Sequence, residues 1–344
     1  MEYPSLDKPT AGATRFNTDS KQLEIYDGLS WYGILATSPE LQTGGTRGMM
    51  NGFNAPTYTC NYVNVDTTGD AADFGDLATQ RSRLTSAADR TRAIQAGGEG
   101  GNNVIDYFTM ASTGNGTDFG DGYDHYDGGS FNNSTRYVYC GGSVAPNYGV
   151  GLNSIEYVTI QSTGNGVDFG DLFQAASGCS AASSPVRGFV TGTYDPSPGA
   201  TQRYIQYITT ATQGNSAYFG DMLNTNMQTD AMCCANATRG FINGGYNSTS
   251  PAATASNVIE YITIASQGNG QDFGDLNYKA YLACSLASPT RALYAGGAAQ
   301  PGPSKFNNID YWQIASQGNA VDFGNLTESA YVQGGCSNGN GGLG

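Results

Sequence analysis

Apolar and polar residues alternate along this chain in a pattern that returns about every 50 residues. Each period contains a β-rich run around a tyrosine, a Gly-Asn or Gly-Asp turn, and then a phenylalanine. A period of this length predicts a propeller or solenoid in which each repeat is one supersecondary unit. The phenylalanine follows the tyrosine by twelve residues in all six copies, which are Tyr62/Phe74, Tyr107/Phe119, Tyr157/Phe169, Tyr207/Phe219, Tyr261/Phe273 and Tyr311/Phe323.

Each copy contains four predicted strands, which we name a to d in chain order. Strand a is a run of small residues, strand b runs from an arginine to one or two glycines, strand c carries the tyrosine and strand d carries the phenylalanine. Gly and Asn tolerate positive φ, so the turn between c and d predicts a hairpin. The chain has no sustained apolar spacing typical of a helix. The pattern therefore predicts an all-β, six-bladed β-propeller with four antiparallel strands per blade.

The two ends of the repeat region predict how the ring closes. The first repeat strand, residues 46–53, is of type b, whereas the last, residues 330–337, is of type a. We therefore expect the C-terminal strand to complete blade one. The predicted organisation is an N-terminal segment (1–37), a linker (38–45) and the propeller (46–344).

The layout of the repeat resembles the kelch repeat over roughly residues 45–344. The shared features are the glycines after strand b, the tyrosine in strand c and the aromatic residue in strand d. Kelch repeats usually have Trp in strand d, where this chain has Phe. The resemblance implies a kelch-like propeller closed by its C-terminal strand.

The first 37 residues lie outside the repeat and predict a β-hairpin. One strand is expected at residues 13–17 and the second at residues 23–26, followed by Asp27-Gly28 and Trp31. A lone hairpin is at best marginally stable in water, so this one must dock on the propeller, another subunit or a larger body. Its predicted anchor residues are Phe16, Tyr26 and Trp31.

Residues 12–31 resemble a short module of tailed-phage virion proteins, on the motifs Gly-Ala-x-Arg-Phe-Asn-Thr-Asp and Leu-Glu-x-Tyr-Asp-Gly-x-x-Trp. The repeat is also similar to propeller repeats in structural proteins of phages that infect cyanobacteria and other marine bacteria. The resemblance implies a non-enzymatic virion structural protein, either a tail or fibre component or a capsid decoration. It would be present in many copies, be assembled in the host cytoplasm and bind other virion proteins through residues 1–37.

The net charge of −14 excludes partners that need a basic surface. Nucleic-acid binding relies on Lys and Arg to neutralise phosphates, so we expect no nucleic-acid partner. The N-terminus has no basic segment followed by an apolar one, and no stretch is long enough to span a bilayer. We expect neither secretion nor membrane insertion.

The seven cysteines predict small buried residues rather than a metal site. Four of them, Cys179, Cys234, Cys284 and Cys336, are assigned to one repeat position on strand a, with Thr85 and Gly129 in other blades. The alternative is a metal-binding ring of thiols, but the spacing lacks a CxxC or Cys/His pattern. We expect no metal and no cofactor. Asp66, Asp70 and Asp73, and likewise Asp121, Asp124 and Asp127, do not match an EF-hand loop and are interpreted as turn residues.

The arginine at the start of strand b and the aspartates around the phenylalanine predict Arg–Asp clamps within or between blades, because Arg suits carboxylates bidentately. An anion site lined by these arginines at the axis is the alternative. The expected arginines are Arg47, Arg92, Arg136, Arg187, Arg239 and Arg291, and the expected aspartates are Asp73, Asp118, Asp168, Asp272 and Asp322.

Catalytic motifs are not supported. Asp-Phe-Gly binds magnesium in kinases, but here it recurs with the repeat and lacks its companions. The single histidine, His125, is expected to be exposed in a polar loop, and no Gly-x-Ser-x-Gly elbow accompanies it. Pairs of carboxylates leave a glycosidase open. The alternative function is therefore a bacterial carbohydrate-binding lectin or a glycan-active propeller enzyme.

Binding is expected on the face formed by the b–c and d–a connections, because function concentrates in loops on a rigid scaffold. The b–c connections vary in length and are rich in Tyr, Asn and Ser, which suit glycans or proteins on a host surface. The alternative is that they are unconstrained polar loops. The candidate residues are Tyr148, Tyr194, Tyr246, Asn247 and Phe306.

Overall fold

The computed structural model describes residues 9–18, 22–34, 46–53, 57–100, 103–144, 150–194, 201–223, 230–247, 254–300, 302 and 304–339. Within these ranges the secondary structure is strand and turn, without a helix. No described segment could therefore cross a bilayer as a helix. The chain divides into two compact units, residues 1–42 and 43–344. The predicted linker, residues 38–45, lies outside the described residues.

The N-terminal unit contains a three-stranded antiparallel sheet, where the sequence predicted a two-stranded hairpin. The third strand pairs Trp31 with Tyr26 and Tyr32 with Ile25. It was missed because only its first two residues, Trp31 and Tyr32, are aromatic, and Gly33 interrupts the β-rich pattern. The strands are Thr14–Asn17, Gln22–Tyr26 and Trp31–Ile34.

The second unit contains six four-stranded antiparallel sheets, each with the order a-b-c-d, which confirms the four predicted strands per repeat. We number the sheets along the chain. In order a to d, sheet 1 contains Gly334–Ser337, Arg47–Asn51, Thr57–Asn64 and Ala72–Arg81. Sheet 2 contains Thr85–Ala88, Arg92–Ala96, Val104–Thr109 and Thr117–Asp121. Sheet 3 contains Gly129–Asn132, Arg136–Cys140, Leu152–Thr159 and Val167–Ala176.

The other three sheets follow the same plan. Sheet 4 contains Ser180–Ser183, Arg187–Thr191, Tyr204–Thr209 and Ala217–Asp221. Sheet 5 contains Met232–Ala235, Arg239–Asn243, Val258–Thr263 and Gln271–Asp275. Sheet 6 contains Cys284–Ala287, Arg291–Ala295, Asn308–Gln313 and Val321–Asn325. Two b–c connections, predicted as loops, form small ribbons that pair Thr193–Tyr194 with Thr201–Gln202 and Tyr246–Asn247 with Thr254–Ala255.

The propeller-like arrangement of the sheets follows from the contacts of their a strands. Each a strand contacts the a strands of the preceding and following sheets, and that of sheet 1 contacts those of sheets 2 and 6. The last strand of the chain pairs with the first strand of the repeat region, with Cys336 opposite Met49. A cavity of about 70 Å³ lies among the six a strands, lined mainly by Ser, Ala and Cys. Small side chains allow the strands to approach one another there.

The fixed spacing of tyrosine and phenylalanine is explained by a stack that recurs in every sheet. The phenylalanine meets the tyrosine edge-on, with ring centroids 5.6 Å apart for Tyr62 and Phe74. The arginine that begins strand b lies over the ring of the same tyrosine, with Arg92 Cζ 4.5 Å from the centre of Tyr107. Aromatic edges and cations both favour the electron-rich ring face. The spacing of twelve residues keeps this stack in register across the hairpin.

The Asp-Phe-Gly segment holds neighbouring sheets together. The N–H of the turn glycine in one sheet donates to the phenylalanine carbonyl of the preceding sheet, at 2.8 Å between Gly114 and Phe74. The turn asparagine then accepts the N–H of the residue two positions after that phenylalanine, as Asn115 does from Asp76. Sheets 6 and 1 make the same contacts through Phe323 and Gly69. The periodic Asp-Phe-Gly is therefore structural, as its recurrence predicted.

Gly274→Ala is expected to lower the free energy of unfolding by about 1–3 kcal/mol, because a side chain is strained in this backbone conformation. Gly274 has φ of +155°, and an added Cβ would collide with the carbonyl of Gly318 in the next sheet. The measurement is chemical unfolding followed by tryptophan fluorescence. Gly268→Ala is the matched control, since nothing lies within 4 Å of its Cβ position. Equal stability of the two variants would contradict this role.

Candidate functional site

The six strand-b arginines do not bind the predicted aspartates, so the Arg–Asp clamp prediction is wrong. Each arginine donates instead to a backbone carbonyl of the next sheet. The acceptor residue comes three positions after the strand-c tyrosine of that next sheet. Arg92 reaches Ile160 O at 3.0 Å, and Arg187 reaches Ile264 O at 2.9 Å. The other acceptors are Met110 O for Arg47, Thr210 O for Arg136, Ile314 O for Arg239 and Val65 O for Arg291.

The predicted carboxylates lie elsewhere, on the exposed side of strand d. Asp73, Asp118, Asp168, Asp272 and Asp322 all alternate with the buried phenylalanine and are exposed. Each arginine is half-buried over its tyrosine, and the carbonyls at the end of the neighbouring strand c need donors. The arginines thus link neighbouring sheets, which was one of the two forms the clamp hypothesis left open, but they do so with a different acceptor. The tyrosine in every copy was the signal that could have indicated this stacking.

The predicted binding face, formed by the b–c and d–a connections, carries an aromatic cluster. We call Tyr246, Tyr281, Tyr331 and Lys305 the loop-face cluster. The rings of Tyr246 and Tyr281 lie 5.1 Å apart, and those of Tyr281 and Tyr331 lie 6.5 Å apart. Lys305 Nζ is 4.7 Å from the centre of the Tyr331 ring. The sequence prediction included Tyr246 but not the other three, since Tyr281 and Tyr331 lie in d–a connections and the prediction considered only the b–c connections by residue, among which Lys305 was not a candidate.

The remaining candidates of this face have mixed outcomes. Tyr148 lies outside the described residues, and the structure describes only the backbone of Tyr194 and Asn247. Phe306 packs on Tyr278, with ring centroids 4.6 Å apart, and Tyr278 is held by the carbonyls of Gly296 and Asn308. Phe306 is therefore part of the packing beneath the loops.

A charged cluster lies beside the aromatic residues. Arg83 Nη1 is 2.8 Å from Asp127 Oδ2, and the side chain of Asp127 is 11% exposed. Gln333 donates to the other oxygen of Asp127 at 3.0 Å. Burial raises the pKa of Asp127, although the charge of Arg83 opposes this. The charge of Asp230 contributes to raising the pKa of both Arg83 and Tyr281, one from each cluster.

The prediction that His125 is exposed is wrong, since this side chain is 1% exposed. Its ring stacks on Tyr139 at 5.1 Å, and Nδ1 donates to the carbonyl of Tyr123 at 3.0 Å. Nε2 lies 3.4 Å from Thr85 Oγ1, which already donates to Ala96 O. Burial lowers the pKa of His125 to about 4. The only histidine of the chain is therefore neutral and enclosed at pH 7, unsuited to act on an external substrate.

The buried histidine predicts a loss of stability in acid. Because its pKa falls from 6.5 when exposed to about 4 in the fold, the unfolded chain takes up a proton first as the pH falls. This group should lower the free energy of unfolding by about 3 kcal/mol between pH 7 and pH 4. His125→Gln removes the titration. The free energy of unfolding, measured at several pH values, should therefore fall less steeply in acid for the variant than for the intact protein. Parallel plots of this free energy against pH would contradict the lowered pKa of His125.

The three predicted anchor residues lie on different faces of the N-terminal sheet. Tyr26 and Trp31 contact each other at 5.2 Å, and Arg15 lies over the Trp31 ring while pairing with Glu24 at 2.8 Å. Phe16 belongs to the opposite face, which is apolar and which we call the anchor face. Its residues and their exposures are Phe16 62%, Leu23 45%, Ile25 39% and Tyr32 56%.

The four cysteines assigned to one repeat position do not share it, so that alignment is wrong. Cys284 is the first residue of its strand a, whereas Cys234 and Cys336 are third residues and Cys179 precedes its strand. The d–a connections differ in length, which misaligned the small residues. All seven cysteines are unpaired and buried. The described residues contain no group of three His, Cys, Asp or Glu side chains placed to hold a metal ion.

Comparison with known proteins gives a likeness of fold. No family model matches the chain, and no curated protein matches it. Among solved structures, the chain is similar to the one described as "Structure of YjhT", with a TM-score of 0.58 and 12% identity. The match covers 74% of this chain and 86% of that one. At this identity the likeness concerns the all-β, propeller-like architecture.

Proposed function

We propose that the six sheets are the blades of one closed, kelch-like six-bladed propeller, in which the C-terminal strand completes blade one. The contacts between sheets 6 and 1 support this, because they repeat those between all other neighbours. Gly69 donates to Phe323 O at 2.9 Å, and Arg291 reaches Val65 O. A seam between the two ends of the repeat region would leave these groups without their partners.

The protein is a virion structural component, and the observation that carries this proposal is the anchor face. A three-stranded sheet with an exposed apolar face needs a partner, since such faces mark interaction sites. The resemblance of residues 12–31 to a module of tailed-phage virion proteins gives the partner class as other virion proteins. The chain then belongs to the tail, fibre or capsid surface, in many copies, and assembles in the host cytoplasm.

The propeller is the displayed part, and the loop-face cluster is its surface for a host glycan or protein. Three tyrosines and a lysine give ring faces together with hydrogen-bond donors, a combination suited to either ligand. The protein is not an enzyme under this proposal and needs no cofactor. One observation favours the alternative, a bacterial lectin or glycan-active enzyme. This is the nearly buried Asp127, whose raised pKa would suit a general acid.

The test is the composition of purified phage particles. A host culture that produces the particles is lysed, and the particles are purified and analysed by mass spectrometry. We expect the chain at a constant ratio to the major capsid protein. Its presence in the lysate but not in the particles would overturn the proposal. Release of reducing sugar from host polysaccharide by the purified protein, abolished in Asp127→Asn, would support the enzyme instead.

The anchor face can be tested in the same system with tagged copies supplied during infection. We expect Ile25→Asp to remain soluble but to be excluded from particles, because the charge would be buried in the interface. Leu29→Asp is the control, since Leu29 lies in the turn, outside the strands, and is 85% exposed. Incorporation of both variants would contradict anchoring through this face.

A further inference from the structure

Sheet 4 departs from the repeat at one exposed and one half-buried position, and in both cases the departure is to tyrosine. Tyr218 precedes the strand-d phenylalanine, where the other five copies have aspartate. Tyr204 precedes the strand-c tyrosine by three residues, where the other copies have Thr59, Val104, Ser154, Val258 and Asn308. Five sheets form the same strands without aromatic residues there. The fold therefore does not require these two tyrosines.

The two tyrosines and a phenylalanine of the preceding sheet form one surface cluster, which we call the rim patch. Tyr204 and Tyr218 have ring centroids 5.8 Å apart at an interplanar angle of 83°, and Phe173 lies 6.2 Å from Tyr204. Phe173 is 56% exposed and Tyr218 is 45% exposed. None of the three occupies the buried stack of this sheet, which Tyr207 and Phe219 form. Ring faces are therefore left open to a ligand.

Polar groups border these rings. Arg203 Nη2 lies 4.0 Å from Asp221 Oδ2, and the two side chains are 45% and 26% exposed. Asp221 is paired with Tyr204 across strands c and d, and burial together with the Asp221 carboxylate raises the pKa of the Tyr218 phenol. A planar guanidinium, a carboxylate and a phenol thus stand at the edge of an aromatic surface.

The local charge indicates what kind of ligand fits. The strand-d position held by Tyr218 carries an exposed carboxylate in the other sheets, in a chain of net charge −14. Here the charge is absent, and the adjacent Arg203 and Asp221 neutralise each other. The patch is therefore complementary to a ligand without net charge. Such a ligand is neither attracted nor repelled by the acidic positions elsewhere on the protein.

We propose that the rim patch is a binding site for an uncharged hexopyranose unit of a glycan. A pyranose has one face of C–H groups, which packs on an aromatic ring, and an edge of hydroxyls, which bonds to Arg203 and Asp221. A protein partner would instead favour a larger apolar area with a well-packed centre. This assignment deepens the proposed host-surface role, on which its biological meaning rests, and adds a site apart from the loop-face cluster.

The test is saturation-transfer difference NMR of the full chain with the methyl glycosides of glucose, galactose, mannose and N-acetylglucosamine. We expect at least one glycoside to bind with Kd on the order of 1 mM. Tyr218→Asp, which installs the residue of the other five copies, should fold normally and weaken binding at least about tenfold. Tyr204→Val, taken from the copies in sheets 2 and 5, should do the same. The site would be overturned if no glycoside gave a signal at about 20 mM, or if both variants bound the glycoside as tightly as the unchanged chain does.

A control variant separates this site from the proposed function. Tyr58→Ala removes an exposed tyrosine of sheet 1 that belongs to neither the rim patch nor the loop-face cluster, and it should leave glycoside binding unchanged. If Tyr246→Ala, which alters the loop-face cluster, abolishes binding and Tyr218→Asp does not, the rim patch is not the site, while the virion proposal stands. If the rim variants lose binding but the chain is missing from phage particles, the site stands and the virion proposal fails.

Discussion

A chain that lacks residues 328–344 is expected to lose its cooperative fold and not merely one strand. The deletion removes the a strand of sheet 1, which pairs along its whole length with Arg47–Asn51. It also removes Ala330 and Val332, which are fully buried in the cluster that contains Leu286 and Phe323. Both neighbouring a strands, those of sheets 2 and 6, lose a contact at the same time.

The magnitude follows from what becomes exposed. The buried side chains of Val332, Ala330 and Cys336 are removed with the deleted segment, and Met49 and Met50, both fully buried in the intact protein, meet water along the missing strand. Fully burying one such large side chain is worth about 1.5–3 kcal/mol, so the sum reaches about 5 kcal/mol or more. This approaches the whole stability of an ordinary domain, about 5–15 kcal/mol. Little soluble, folded protein should remain.

The measurement is calorimetric melting of the full chain and of the truncated chain. We expect the main transition to disappear or to fall by more than about 10 °C. Removal of residues 1–42, the separate N-terminal unit, is the control and should leave that transition in place. A truncated protein that melts at the temperature of the intact one would mean that the two ends of the repeat region do not support each other.

The strands of the second unit could be predicted from the sequence because each is marked by residues with a local reason to be there. Gly-Asn fixes the c–d turn, and glycines end strand b, as at Gly97 and Gly98 with positive φ. The spacing of tyrosine and phenylalanine fixes the c–d register. Six copies of these signals remove the ambiguity that a single copy would leave.

Contacts between sheets could not be predicted with the same success, because a repeat does not reveal which atom of a neighbour a side chain meets. The arginines were assigned to aspartates by charge, yet the structure places backbone carbonyls nearer. The composition of strand a does not determine its alignment: Cys179 precedes its strand, whereas Cys234 is the third residue of its own. His125 was judged by its polar neighbours in sequence, whereas its environment is formed by Tyr139 and Thr85 from two other strands.

The residues most informative about function are those that the repeat does not explain. Residues that recur along the repeat link neighbouring sheets, as the turn asparagines of five copies and the strand-b arginines of all six do. The exposed Tyr218 and the half-buried Tyr204 are departures that the fold does not need, whereas Arg81 is a fully buried departure. The equivalent residues in sheets 3, 5 and 6 are Ala176, Ala280 and Ala330. A buried arginine in place of alanine brings a positive charge into the protein interior, and this charge needs a negative partner nearby.

Arg81→Met is expected to lower the free energy of unfolding by about 3–5 kcal/mol at pH 7, because it leaves the Asp106 carboxylate buried without its cation. Both side chains are completely buried, and Arg81 Nη2 lies 2.8 Å from Asp106 Oδ2. Arg81 also donates to the carbonyls of Val104 and Gln95. Methionine retains most of the volume, so the loss is mainly electrostatic.

Asp106 is one of six polar side chains that occupy the same position on strand c, one in each sheet, and their variety shows what can replace the Arg81–Asp106 pair. Each accepts a backbone N–H of the preceding sheet, as Asp106 does from Ala78 and Asn61 does from Thr327. Asn61 and Gln206 do so without a charge. Arg81→Met combined with Asp106→Asn should therefore be more stable than Arg81→Met alone, since the neutral amide keeps the acceptor for Ala78 N–H.

The pH dependence distinguishes a buried charge from a simple packing defect. Burial already raises the pKa of Asp106 in the intact protein, with Arg81 opposing the shift, and loss of Arg81 should raise it further. The folded variant then binds a proton more readily than the unfolded chain. The free energy of unfolding of Arg81→Met should therefore come closer to that of the intact protein as the pH falls from 7 towards 5, because protonation of Asp106 removes the unpaired charge. Urea unfolding of the intact protein, the single variant and the double variant at both pH values measures this, and a difference between Arg81→Met and the intact protein that stays constant with pH would show that packing alone is responsible.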